Sequence, residues 1–243
     1  MEQRYATAAA KDRPLRRDAE RNRLLILSAA RTVFAQRGLE ASLDEVAREA
    51  GLGVGTVYRR FPNREALIDA LFADGINTIT RVVEESLAMA RAWDGLRHFM
   101  ASMLELQCHD KGLRDVMLSH RGPDPAEDLL RDRIKPPLYN LVQRAQREGD
   151  LRADLSPTDI GVLEVAALGA AELTAAARPE AWKRYLTIIM DGMRARPDSP
   201  TGGNTPLHQP PLNDDELDAC MEGWKYGTRK PPTAPHPRPD AAK

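Results

Sequence analysis

The chain has 243 residues, 42% hydrophobic and 29% charged, with a formal net charge of -1, which suits a globular protein with a sizeable core. No apolar run reaches the roughly 18 residues that a membrane-spanning helix needs, and the polar, basic first 17 residues lack the apolar stretch of a secretory signal. Two cysteines, Cys108 and Cys220, stand far apart, which argues against a disulfide framework and for a reducing cytoplasm.

The charge is unevenly placed. Residues 1–64 carry 13 Lys/Arg against 8 Asp/Glu, whereas residues 65–243 carry 22 against 28. A basic head on an acidic body is the asymmetry of a nucleic-acid-binding protein, although the same numbers arise by chance in a charge-rich chain.

Taken in chain order, residues 1–17 form a flexible basic arm, with Pro14 opposing a helix. A first helix is predicted from Asp18 to Arg37, with Ile26, Ala30 and Phe34 four apart and Gly38 as its stop. Ser42 and Glu45 make a capping box for a second helix, which ends at Ala50 before the turn glycine Gly51. A third, short helix runs from Val54 to Phe61 and stops at Pro62. Asn63 caps a long helix from Arg64 to about Ala90. Helical spacing continues over Asp94–Gln107, Asp110–His120, and Asp124–Glu148, the last broken by Pro136-Pro137. Ser156-Pro157 opens an apolar, small-residue helix to Ala177, and Pro179 opens a last one to Arg196. From Pro197 the composition favours a mostly disordered tail, with one short helix at Asp214–Trp224. The fold class is all-α: residues 18–63 form a head, 64–196 a helical body and 197–243 a tail.

Residues 43–67, LDEVAREAGLGVGTVYRRFPNREAL, read as helix, glycine turn and short helix, which is the pattern of a helix-turn-helix. Val46, Ala47, Ala50, Leu52 and Val57 hold the two helices together. Thr56, Tyr58, Arg59 and Arg60 are left to face outward. Such a triplet of Tyr and Arg in isolation is more often a solvated face than a contact, but within the full pattern DNA contact is the better reading.

The stretch from Ile26 to Leu71 resembles the tetracycline-repressor (TetR) family. The resemblance lies in Gly55-Thr56-Val57-Tyr58-Arg59-Arg60-Phe61 followed by Pro62-Asn63-Arg64-Glu65-Ala66-Leu67. It implies a homodimeric DNA-binding regulator, usually a repressor, released from a pseudo-palindromic operator by a small-molecule effector. It places Tyr58, Arg60 and Arg64 on the phosphate backbone, Thr56 at the DNA surface and Ser42 as a cap that also touches phosphate. Three positions depart from the family pattern. Gly53 replaces a frequent capping serine. Val54 offers only an apolar contact, such as a thymine methyl. Asp44 stands where some members carry an arginine, and can accept from cytosine or face away. The arm residues Arg13, Arg16 and Arg17 reach phosphates or a minor groove, or serve only as a solubilising tail.

For the body, the resemblance implies an effector pocket among the middle helices. Candidate lining residues are Trp93, Phe99, Met100, Met103, Leu104, Cys108, Met117, His120, Leu138 and Leu141, suited to an apolar ligand; the same pattern also fits plain core. The candidate dimer face comprises Gly161, Val165, Ala166, Leu168, Gly169, Ala170 and Leu173, with Trp182, Tyr185, Leu186, Ile189 and Met193 of the last helix; its small residues allow close helix approach, and the same residues also fit the internal core of a monomer. No cofactor is implied. His98, Cys108, His109 and His120 lack zinc-ligand spacing, and no nucleotide-binding or hydrolase motif occurs, so an enzyme is not the reading. The alternative is a helical dimer that senses ligand, metal or redox state without a DNA role.

Overall fold

The computed structural model describes residues 3–113, 133–196 and 203–225, with side chains over 17–113, 133–196 and 203–221. The elements in these ranges are α1 (Gln3–Arg37), α2 (Leu43–Glu49), α3 (Val54–Arg60), α4 (Arg64–Ala88), α5 (Ala92–His109), α6 (Lys135–Arg147), α7 (Pro157–Thr174), α8 (Trp182–Met193) and α9 (Asp214–Lys225). The only β pairing among the described residues is a single bridge between Leu151 and Arg194.

Buried apolar residues form two clusters. One, in the head, joins Ile26, Ala30 and Phe34 of α1 to Val46, Ala47, Val57 and Phe61, and to Leu67, Leu71, Phe72 and Ile76 of α4. The other, in the body, begins at Ile79, Val82 and Val83 of the same helix and continues through α5, α6, α7 and α8. Helix α4 is therefore shared: its first three turns belong to the head and its last three to the body. A rigid helix between two cores transmits a displacement of one to the other.

The α4–α5 corner is built for close approach. A Cβ on Gly95 would stand 2.3 Å from the Ser86 carbonyl oxygen, so only glycine fits. Arg144 of α6 donates to the carbonyls of Leu87 at 3.1 Å and Met89 at 2.5 Å, putting a cation on the open C-terminal end of α4. Glu148 accepts from the Ala92 N–H at 2.8 Å, capping α5. This hydrogen bond is the largest influence holding the Glu148 carboxyl below its ordinary range.

Three expectations change. Helix α1 begins at Gln3, where a flexible arm to residue 17 and a helix start at Asp18 were predicted. Ala6, Ala8, Ala9 and Ala10 are the strongest helix formers, and their propensity outweighs Pro14. The break expected at Pro136-Pro137 falls at Ile134, between helical Arg133 and α6, and the two prolines lie in the first turn of α6, where missing N–H groups cost nothing.

The tail is the third correction, since residues 203–221 dock on the body through specific polar pairs. Arg152 donates to the Thr205 carbonyl at 2.6 Å, and Thr158 Oγ1 to the Leu212 carbonyl at 2.7 Å. Lys135 Nζ holds Asp218 at 2.7 Å, the Tyr139 hydroxyl donates to Asp214, and Leu217 is buried against Gly161. Burial and that hydrogen bond both raise the Tyr139 hydroxyl above its ordinary pKa. The Arg152 pair holds the Asp154 carboxyl down to about 2, and Asp154 also accepts from the Leu207 N–H at 3.2 Å. A composition rich in Pro, Gly and Asn forecasts few apolar anchors, and such discrete pairs are invisible to it.

Candidate nucleic-acid interface

The turn between α2 and α3 follows from local chemistry. The Ser42 hydroxyl accepts from the Glu45 N–H at 3.3 Å, and the Glu45 carboxylate accepts from the Ser42 N–H at 2.8 Å. The two hydrogen bonds satisfy donors that a helix start otherwise leaves open. They hold the Glu45 carboxyl below its ordinary range, with the Ser42 backbone contributing most and Arg37 adding to it. Gly51 sits at φ 65, the left-handed region glycine tolerates. Gly53 caps α3 without any side-chain hydrogen bond, as its lack of a hydroxyl dictates.

Helix α3 is anchored by one face and open on the other. Val57 is 0% exposed and Phe61 5%, whereas Val54 and Tyr58 are each 44% exposed. Arg59 and Arg60 are exposed and Thr56 is half-buried. Among the described residues neither arginine has an acid partner, so α3 carries two unneutralised guanidinium groups beside an exposed phenol. These donors suit phosphate oxygens.

The remaining head candidates are placed differently. Ser42 is exposed, but its oxygen already serves as the cap. Asp44 faces solvent in the first turn of α2, where an acid is favoured by the helix end whether or not it meets a base. Arg64 is bound to Glu40 and, at 3.4 Å, to Glu65. The Glu40 bond is the larger cause of its raised pKa. This pairing was not foreseen. It is open to water, where ion pairs contribute little, so a phosphate can displace it.

A junction couples head to body. Arg31 of α1 holds Asp74 of α4 at 2.5 Å and Asp110, just past α5, at 2.9 Å. Gly112 lies so close to α1 that a Cβ there would be 2.1 Å from the Arg31 carbonyl oxygen. Between α1, α4 and α5 opens a cleft of about 660 Å³, lined by residues including Thr78, Arg81, Val82, Glu105, Leu106 and His109. None of the expected pocket residues lines it.

Those residues lie deeper. Trp93, Phe99, Met100, Leu104 and Leu141 are buried in the body cluster, and Met103, Cys108 and Leu138 pack against its margin. Met117 and His120 lie outside the described residues. The expected dimer residues divide. Leu168 and Trp182 are 1% and 3% exposed within their own chain, so they are core rather than interface. Helical spacing cannot tell the inward stripe of an apolar helix from the outward one. Gly161 is covered by Leu217. Val165, Tyr185 and Ile189 are half-buried, and Gly169 is exposed.

Leu173, expected on the dimer helix, is 85% exposed, and sequence reasoning missed two further outward residues, Ile188 at 56% and Val162 at 43%. The spacing Val162, Ala166, Gly169, Leu173 is itself one helix face and could have revealed them. Among the described residues, no group of three or more His, Cys, Asp or Glu comes together to hold a metal, and no helix is long and apolar enough to cross a membrane.

Comparison with known proteins agrees with this geometry. Residues 26–71 match the family model for bacterial regulatory proteins of the tetR family, and residues 91–195 match that for the SbtR-like transcriptional regulator C-terminal domain. The HTH-type transcriptional regulator SrpR of Pseudomonas putida is 26% identical over 157 residues, covering 60% of this chain and 72% of that protein. The crystal structure of CprB from Streptomyces coelicolor in complex with its biological operator sequence shares the fold, with TM-score 0.58 and 22% identity over 72% of this chain and 89% of the other. A TetR transcription regulatory protein from Mycobacterium vanbaalenii is 34% identical, with TM-score 0.55, covering 74% of this chain and 99% of the other. With head and body matched in turn by these models, and a relative this similar along nearly its whole length, the chain belongs to the TetR family of DNA-binding transcriptional regulators.

Proposed function

We propose that the protein is a cytoplasmic, homodimeric repressor that holds a pseudo-palindromic operator and releases it when a small-molecule effector enters the body. The observation that carries this reading is α3, clamped to the head by Val57 and Phe61 while presenting Tyr58, Arg59 and Arg60 outward, unneutralised. Thr56 and Val54 supply the shorter contacts to base edges, and Ser42 and Arg64 flank them. The relatives are transcriptional regulators, and we assign no enzymatic activity.

Two copies are needed to read a two-fold site. The exposed stripe of α7 (Val162, Ala166, Gly169, Leu173), with Ile188, Tyr185 and Ile189 of α8, provides the face for a second chain. Four helices packed across it set the two heads near the spacing of successive major grooves, about 34–36 Å. The effector acts on the body cluster. Its displacement of α4 and of the Arg31–Asp74–Asp110 junction moves the heads, a coupling of about 1–3 kcal/mol in systems of this kind.

The test is selection from sheared genomic DNA at near-physiological salt. Enrichment of a short pseudo-palindrome by the wild type, lost in Tyr58→Ala/Arg60→Ala, is the expected result. Equal recovery of DNA by both proteins removes the operator reading and leaves a helical dimer without a DNA role.

A further inference from the structure

Helix α7 has two faces. At about 100° per residue, Ile160, Glu164, Ala167, Leu168 and Ala171 fall on one side and Val162, Ala166, Gly169 and Leu173 on the other. The first side packs into the body cluster, where Ile160 and Leu168 are 1% exposed and Ala167 0%. Glu164 sits at the middle of that inward face. It is 9% exposed, and both of its carboxylate oxygens are buried without a hydrogen-bond partner. Desolvation pushes its carboxyl well above the ordinary range, and among the described residues no cation draws it back.

Among the described residues no donor or cation is paired with it. The body cluster that α7 packs into includes Phe99, Met100, Leu104 and Leu141. It holds a second orphan, the buried Trp182 Nε1–H, which also lacks a partner. Buried polar groups in folded proteins are nearly always paired, and an exception marks a site whose partner arrives from outside. A glutamine would serve a neutral polar ligand equally well. What a carboxylate adds is attraction for positive charge, and that attraction is strongest where water is excluded.

We propose that Glu164 is the anchor of the effector site and that the effector is an organic cation, an apolar body bearing a protonated amine. The inference deepens the effector-released reading above and rests on it. On binding, the Glu164 carboxyl loses its proton to solvent and the resulting carboxylate pairs with the ammonium group. Binding is thereby coupled to loss of a proton. The apolar part of the ligand lies among the side chains of α5 and α6 that the sequence marked as pocket residues.

The experiment uses the full chain with matched probes: phenylbutylamine, phenylbutanol and phenylbutanoate, each with a linear alkyl analogue. Affinity is measured by calorimetry in two buffers of different ionisation heat, and operator release is measured separately. The expected result is amine binding about tenfold or more tighter than alcohol or acid, an advantage lost in Glu164→Gln. Buffer-dependent heat should show proton release on binding in the wild type and none in the variant. The variant removes a buried acid and is expected to fold. Alcohols binding as well as amines, or amines binding Glu164→Gln unchanged, overturns the anchor while leaving effector release intact if DNA is still released. Failure of every amine to bind overturns the anchor as well. Glu164-dependent amine binding without operator release keeps the anchor and overturns the effector-released reading.

Discussion

The head and the body share a helix but follow different rules. The head settles its polar groups locally: Ser42 and Glu45 cap each other, Asn63 caps α4 through the Ala66 N–H at 2.8 Å, and the buried unpaired atom on α1, Arg31 Nε, belongs to a guanidinium already held by Asp74 and Asp110. The body leaves Glu164 and Trp182 Nε1 buried and unpaired, and leaves Leu173 and Ile188 open to water. A surface that must always present the same helix to DNA is built complete. A region that receives a ligand and a second chain is built with its partners missing, and each missing partner leaves a visible defect.

Four variants sharpen or break this contrast. The largest effect is expected from Leu173→Glu/Ile188→Glu, which sets like charges against each other across the proposed two-fold. Such juxtaposition costs several kcal/mol, so sedimentation should show monomers with unchanged helicity and greatly weakened operator binding. A dimer that persists places the interface elsewhere.

Phe34→Ala is next. The side chain is 1% exposed at the centre of the head cluster, and its truncation should cost about 3–5 kcal/mol. Denaturant unfolding should show the head melting ahead of the body. A single unshifted transition would mean that the two cores are not separable as described.

Glu164→Gln should act in the opposite direction. A buried carboxyl with a raised pKa keeps its proton in the fold but sheds it on unfolding above the ordinary carboxylate range. Wild-type stability therefore falls as pH rises from that range toward the folded pKa. The variant should be the more stable protein at neutral pH, with a higher melting temperature. In acid, where the wild-type carboxyl is protonated in both states, the two proteins should converge. A variant less stable than wild type at neutral pH would mean that Glu164 is paired in solution.

The smallest effect is expected from Ser42→Ala, which removes one cap and costs about 1 kcal/mol. Thermal melts should show it as a shift of a few degrees, with α3 still presented. No shift would mean that Glu45 alone suffices to start α2.

The same contrast explains what could be read from sequence. The head was legible because its determinants are local: a capping box three residues apart, a turn glycine at Gly51, a proline stop at Pro62. In the body the helices were legible but their facing was not. Leu168 and Leu173 look alike in a run of small and apolar residues, yet one is core and the other is the most exposed large hydrophobic residue described. The fit of Gly95 to Ser86 and of Gly112 to Arg31, the pairing of Arg64 with Glu40, and the docking of residues 203–221 all depend on contacts distant in sequence. Glu164 was passed over because a single acid in an apolar helix carries no motif. Its meaning appears only once both oxygens are seen to be unpaired.

The central claim is that α3 is the DNA-contacting element of a two-headed protein, and the salt dependence of operator affinity tests it most directly. Affinity should be measured for the wild type and Arg60→Ala across a range of salt concentrations on one selected operator. Each phosphate-contacting cation contributes about one to the logarithmic salt slope, so the dimeric variant should lose about two from the slope and bind more weakly at every salt concentration. A variant with wild-type slope and affinity would contradict the account, because Arg60 would then face solvent in the complex and α3 would not be the surface that meets DNA.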